Sequence, residues 1–198
     1  MPNIFQKLSR KVHIVFELLK GYDFLKVIPL EELNLDSKIV SKGSPSGNKY
    51  LTRLLESLNI THNCKILDIG CAKGSAIKVM LNFPFKKIDG LELSPNLVKI
   101  AKRNFHKLKT KKVEIFNENA TNFMGYNNYN YFYLYNPFPE KIFKKVIDRI
   151  NKQVINKEIY IIYNNPICHD LLIDSSFLLV EQFPDAWGNG INLYKKSF

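Results

Sequence analysis

The chain has 198 residues, a formal net charge of +11 and a hydrophobic fraction of 45%, enough for one domain with a substantial core. No apolar run reaches the ~18–20 residues that span a bilayer, and charges at Lys7, Arg10 and Lys11 interrupt any signal-peptide core. Cys64, Cys71 and Cys168 form no C-x-x-C pair, which speaks against a zinc site or a disulfide framework and for reduced thiols and a cytoplasmic address.

Residues Ile4–Leu19 read as an amphipathic helix, with Ile4, Phe5, Leu8, Val12, Val15, Phe16 and Leu19 on one face. Such a helix packs on its own domain or on a second subunit, as in a homodimer; an interfacial membrane helix is the other reading. Gly21–Lys42 reads as an irregular connector. Ser44-Pro45-Ser46-Gly47 offers helix-start chemistry, with a capping serine, ahead of a helix through Tyr50, Leu51, Leu54, Leu55 and Leu58. These signals divide the chain into an N-terminal helix and connector, residues 1–43, and a main domain, residues 44–198.

From Lys65 strands and helices alternate. Strand Lys65–Ile69 leads to helix Ser75–Asn82, and strand Lys87–Leu93 to helix Pro95–His106. Strand Lys112–Asn117 leads to a turn or short helix near Thr121–Met124, and strand Tyr131–Tyr135 to helix Glu140–Asn151. Strand Glu158–Tyr163 precedes a short helix near Cys168–Ile173. Strands Phe177–Phe183 and Ile191–Lys195 close as a hairpin, with Gly188-Asn189-Gly190 in its loop. This order predicts a doubly wound α/β fold, a seven-stranded and mostly parallel sheet with helices on both faces, carrying an N-terminal helical extension. Lys99, Lys102, Arg103, Lys107, Lys109, Lys111 and Lys112 crowd one helix and its following loop. Aromatic residues barely interleave with them, so a solvated face is favoured over a nucleic-acid groove.

The chemistry concentrates in Lys65–Gly74, KILDIGCAKG. A buried strand runs through Asp68 into a turn of small residues, Gly70-Cys71-Ala72-Lys73-Gly74. Glu92 closes the next strand about 20 residues on, where a carboxylate can hold ribose hydroxyls. A dinucleotide turn needs G-x-G-x-x-G and a phosphate loop needs G-x-x-x-x-G-K-[ST]; both are absent. Asp68 would repel a pyrophosphate and suits a ligand with positive charge.

The stretch Leu67–Gly74 resembles the D-x-G-x-G-x-G motif of class I S-adenosylmethionine-dependent methyltransferases, a Rossmann-like family, with Ala72 in place of the middle glycine. The resemblance implies S-adenosylmethionine as cofactor, bound by Asp68, Gly70, Cys71, Ala72, Gly74, Glu92, Leu93, Asn119 and Ala120. Asp68 would serve the amino end of the methionine moiety, Glu92 the ribose, and Asn119-Ala120 the adenine amine. Cys71 is read as a small packing residue, not a nucleophile.

After the fourth strand, Asn136-Pro137-Phe138-Pro139 partly resembles the D/N-P-P-Y/F signature of amino methyltransferases. Phe138 stands where that signature has its second proline. Asn136, Pro137 and Phe138 are the candidate residues at the reacting end. His169 follows the fifth strand and is the candidate general base for a hydroxyl acceptor. Phe138, Tyr50 and Trp187 are candidate walls of an acceptor pocket. No cluster of histidine and carboxylates suggests a metal. A wider likeness to small bacterial class I methyltransferases implies methyl transfer to oxygen or nitrogen of a small molecule or glycan precursor. The alternatives are a nucleic-acid or protein methyltransferase, or an inactive cofactor-binding protein.

Overall fold

The computed structural model describes residues 4–33, 35–38, 40, 44–184 and 188–197, with side chains from residue 11 onward. The elements in chain order are α1 (Ile4–Leu19), α2 (Lys49–Ser57), β1 (Lys65–Ile69), α3 (Ser75–Met80), β2 (Lys87–Glu92), α4 (Pro95–Lys107) and β3 (Ile115–Asn117). Then come β4 (Tyr131–Tyr135), α5 (Glu140–Gln153), β5 (Ile159–Asn164), α6 (His169–Asp174), β6 (Leu178–Phe183) and β7 (Ile191–Lys196). One seven-stranded sheet runs β3-β2-β1-β4-β5-β7-β6. Strands β1 to β5 pair in parallel, and β7 runs antiparallel between β5 and β6.

The central strands are buried on both faces, so their sequences are apolar without alternation. On one face Leu67, Ile69, Phe132, Leu134 and Ile161 pack against Phe143, Val146, Ile147 and Ile150 of α5 and Leu172 of α6. On the other, Ile66, Tyr131, Tyr133 and Ile162 pack against Leu51, Leu54 and Leu55 of α2, Ile77 and Met80 of α3, and Ala101 and Phe105 of α4. The connections from β1 and β2 therefore cover one face, and those from β4 and β5 the other. Chain direction through the sheet order reverses between β1 and β4, which opens a crevice at the carboxyl ends of those strands.

Two local expectations are corrected. The cap of α2 is Asn48, whose Oδ1 accepts from Tyr50 N (2.9 Å) and Leu51 N (3.2 Å). Ser46 and Gly47 instead donate their backbone N–H groups to Ser75 Oγ at 3.0 and 3.3 Å, which ties this segment to the start of α3. Lys112–Glu114 stay outside β3, although their Lys112 and Glu114 carbonyls still accept from Ile88 and Gly90 of β2. Near Thr121–Met124 the chain makes the expected turn, and a 3-10 turn follows at Tyr126–Asn128. Trp187 and the side chains of Ile4, Phe5 and Leu8 lie outside the described residues.

Candidate active site

The turn after β1 is built on left-handed backbone. Gly70 has φ +80°, and a Cβ there would stand 2.7 Å from Pro137 Cβ; Gly74 has φ +85°, and a Cβ would strike the Phe105 ring. Glycine alone combines that conformation with that closeness. Ala72, at φ +48°, holds a left-handed position at an energetic cost that glycine would avoid. This explains in backbone terms why the resembled motif has glycine there.

Glu92, at the end of β2, braces the turn from the side. Its Oε2 accepts from Ala72 N (2.9 Å) and its Oε1 from Ser94 N (2.8 Å). Each oxygen keeps a further lone pair, so the carboxylate can also accept two adjacent hydroxyls. The Asn117 side chain donates to the Glu92 and Leu93 carbonyls at 3.1 and 2.9 Å and fixes the strand end. Burial pushes the Glu92 carboxyl above its usual range, against the hydrogen bonds from Ser94 and Ala72. Asp68 is pushed well up, by burial first and by the Glu92 charge second.

A cavity of about 1050 Å³, mouth included, opens over this turn. It is lined by Gly70, Ala72, Glu92, Leu93, Asn119, Ala120, Asn136, Pro137 and Phe138, so nine residues expected from the sequence meet in one place. Gly74 stands just behind, as the N-cap of α3. The lining polarity suits adenosine: a ribose-holding carboxylate, flanked by Leu93 and Ala120 for an apolar ring. Bare backbone at Gly70 and two buried carboxyls suit a cationic tail.

Other expected residues sit elsewhere. Asp68 lies 3% exposed beneath the turn, outside the lining, so it acts on the cavity through its field. The Cys71 side chain is also outside the lining; its Sγ packs over Gly90, where a Cβ would stand 2.6 Å away. Burial, then Asp68 and Glu92, push the Cys71 thiol well up, so it holds its proton and packs. Asn119 Oδ1 accepts from both the backbone N and Oγ1 of Thr121, at 2.9 Å each. The acceptor expected to meet an amine is thus engaged in an Asx turn. His169 starts α6 away from the cavity lining, and its Nδ1 is 2.7 Å from Tyr194 Oη.

The connector contributes more than its sequence signalled. Phe24, Val27, Ile28, Leu30, Leu33, Leu35 and Val40 form an apolar roof over the cavity, with Lys26 at its edge. Aliphatics with neither helical nor strand period, as in this segment, are the available signal that a loop covers something. The near end of the roof is pinned beside the turn. Lys73, 4% exposed, pairs with Asp23 at 2.7 Å. Asn104 of α4 accepts from Asp23 N (3.0 Å) and donates to the Asp23 and Lys73 carbonyls.

A family model described as protein-L-isoaspartate(D-aspartate) O-methyltransferase (PCMT) matches residues 23–150. The solved structure of the mitomycin 7-O-methyltransferase MmcR is similar with a TM-score of 0.61 at 12% identity, over 75% of this chain and 53% of that one. The chain thus spans about half the length of that protein. A SAM-dependent methyltransferase from Aquifex aeolicus gives 0.57 at 13% identity, over 73% of this chain and 87% of that one. A precorrin-6y C5,15-methyltransferase from Geobacter metallireducens GS-15 gives 0.58 at 14%, over 88% and 97%. At such identities the likeness is one of fold. No curated protein matches the sequence.

Proposed function

The chain belongs to the protein-L-isoaspartate(D-aspartate) O-methyltransferase family and is an S-adenosylmethionine-dependent methyltransferase, and from that premise we propose that it methylates a carboxylate oxygen on a protein. Bound S-adenosylmethionine supplies a methyl carbon on a positively charged sulfur, which departs with the bonding electrons when an acceptor oxygen attacks. Glu92 would hold the ribose, and the Gly70–Gly74 backbone would lie along the methionine tail. Asn136, Pro137 and Phe138 would wall the reacting end.

The observation that carries the reading is which titratable side chains line the cavity: Lys26, Lys73, Glu92, Glu118 and Tyr135, with no histidine or cysteine among the described residues. A hydroxyl or ammonium acceptor must lose a proton to attack and needs a base, for which this lining offers carboxylate, lysine and tyrosine side chains but no imidazole among the described residues. A carboxylate is already ionised at neutral pH and needs none. Lys26, which has no ion-pair partner among the described residues, can meet its charge. Lys26 is exposed at the edge of the roof, so it can draw an anionic acceptor toward the mouth of the cavity. This reading also agrees with the reaction named in the family description. It displaces the small-molecule or glycan acceptor expected from the wider resemblance.

Labelled methyl transfer into an isoaspartyl peptide tests it. The expected label is volatile after mild alkali, as a methyl ester releases methanol. Label that survives alkali, on nitrogen or as an ether, overturns the carboxylate assignment.

A further inference from the structure

We propose that the outward face of α1 is a docking surface for anionic lipid headgroups, which holds this enzyme against a membrane surface. The helix is docked the wrong way round for a member of the protein's own core. Among the described side chains its polar contact with the domain is Glu17, which reaches Lys78 Nζ at 2.6 Å and accepts from Phe24 N at 3.3 Å. Ile14, on the same side, is half-buried. The apolar stripe points to solvent: Val12 is 59% exposed, Val15 56%, Phe16 55% and Leu19 80%. These residues stand at i, i+3, i+4 and i+7, one above another on a single face.

Charge selects the occupant. Between Ile4 and Lys20 the sequence has Lys7, Arg10, Lys11 and Lys20 against the single acid Glu17. That acid is turned inward and taken by Lys78, so it cannot answer a cation on a partner helix. Among the described side chains Lys11 and Lys20 border the stripe, so pairing the stripes of two copies would bring these like charges together. A surface of lipid phosphates would neutralise them instead. Lys20 Nζ lies 4.2 Å from the centre of the Phe16 ring, a cation at the margin of the apolar stripe. Long basic chains in that position reach headgroups while the apolar face enters the acyl boundary. No helix among the described residues is long and apolar enough to cross a membrane. The geometry is that of a helix lying in the interface.

The test is flotation of the full-length protein with vesicles of phosphatidylcholine alone or mixed with phosphatidylglycerol. Binding is expected only to the anionic vesicles, and it should weaken with salt. Val15→Glu/Phe16→Glu and, separately, Lys11→Glu/Lys20→Glu should each lower partitioning by about tenfold or more. Affinity for S-adenosylhomocysteine should stay unchanged in both, since neither pair touches the cavity. Absence of binding to anionic vesicles overturns the proposal, as does wild-type binding by both variants. A dimer of the wild type in solution that Val15→Glu/Phe16→Glu disperses would assign the face to a second copy instead.

Discussion

Replacing Glu92 by glutamine probes the cofactor grip with little change in shape. In the folded protein the two carboxylate oxygens accept from Ala72 N and Ser94 N, and in the complex each would accept one ribose hydroxyl as well. Glutamine exchanges one oxygen for a donor. One backbone N–H then faces another donor, and one ribose hydroxyl loses its acceptor; the remaining contact loses its charge. A hydrogen bond to a charged group contributes about 1.5–3 kcal/mol. Cofactor binding should therefore weaken by roughly 2–3 kcal/mol, on the order of 30–150-fold. Stability should change little. The lost backbone bond costs ~1 kcal/mol, and removing a buried charge beside Asp68 offsets it, because burial holds both carboxyls above their usual range and the Glu92 charge adds to the rise at Asp68. Calorimetric titration with S-adenosylhomocysteine, alongside a thermal melt, measures both quantities. An unchanged melting temperature with affinity within about threefold of wild type would refute the ribose assignment.

Gly70→Ala forces a side chain into φ +80° and against Pro137; thermal unfolding should show a loss of about 1–3 kcal/mol, with weakened cofactor binding. Asp23→Ala leaves Lys73 buried without its partner and should cost about 3–5 kcal/mol in urea unfolding. Adding Lys73→Met in the same chain should return much of that loss. The raised Asp68 and Glu92 carboxyls favour the folded apoprotein while protonated, and this contribution is lost as pH rises through their raised values. A cationic ligand prefers the ionised carboxylates, so S-adenosylmethionine affinity should rise over that same interval, with proton release visible when calorimetry is repeated in buffers of different ionisation enthalpy. His169→Ala should retain methyl transfer to the isoaspartyl peptide, within about threefold of wild type; a hundredfold loss in kcat would restore the histidine as a base.

The alternation of strands and helices and the small-residue turn after β1 are legible because their signals are local. The buried run of β1, the small residues from Gly70 to Gly74 and the carboxylate of Glu92 each follow from what their own backbone must do. The roof was hidden because its partners are distant. Val27, Ile28, Leu30 and Leu33 have no period, and their burial exists only once the crevice beneath them forms. Asn48 caps α2 in place of a serine from Ser44–Gly47, and Ser46 and Gly47 are engaged by Ser75, which lies on another helix. His169 was placed at the right end of its strand, but on α6, where Tyr194 engages it. Strand-end position alone does not say toward which side of the crevice a residue turns.

The span from Phe24 to Pro45 is moored at both feet to the same short stretch of chain. Asp23 grips Lys73, and Ser46 and Gly47 grip Ser75, on either side of Gly74. Any shift of that stretch as cofactor arrives is felt at both moorings together. The ceiling over the cavity is thereby held at both feet by the stretch that forms its floor, so losing the Asp23–Lys73 pair would free one end and leave the other tied to Ser75.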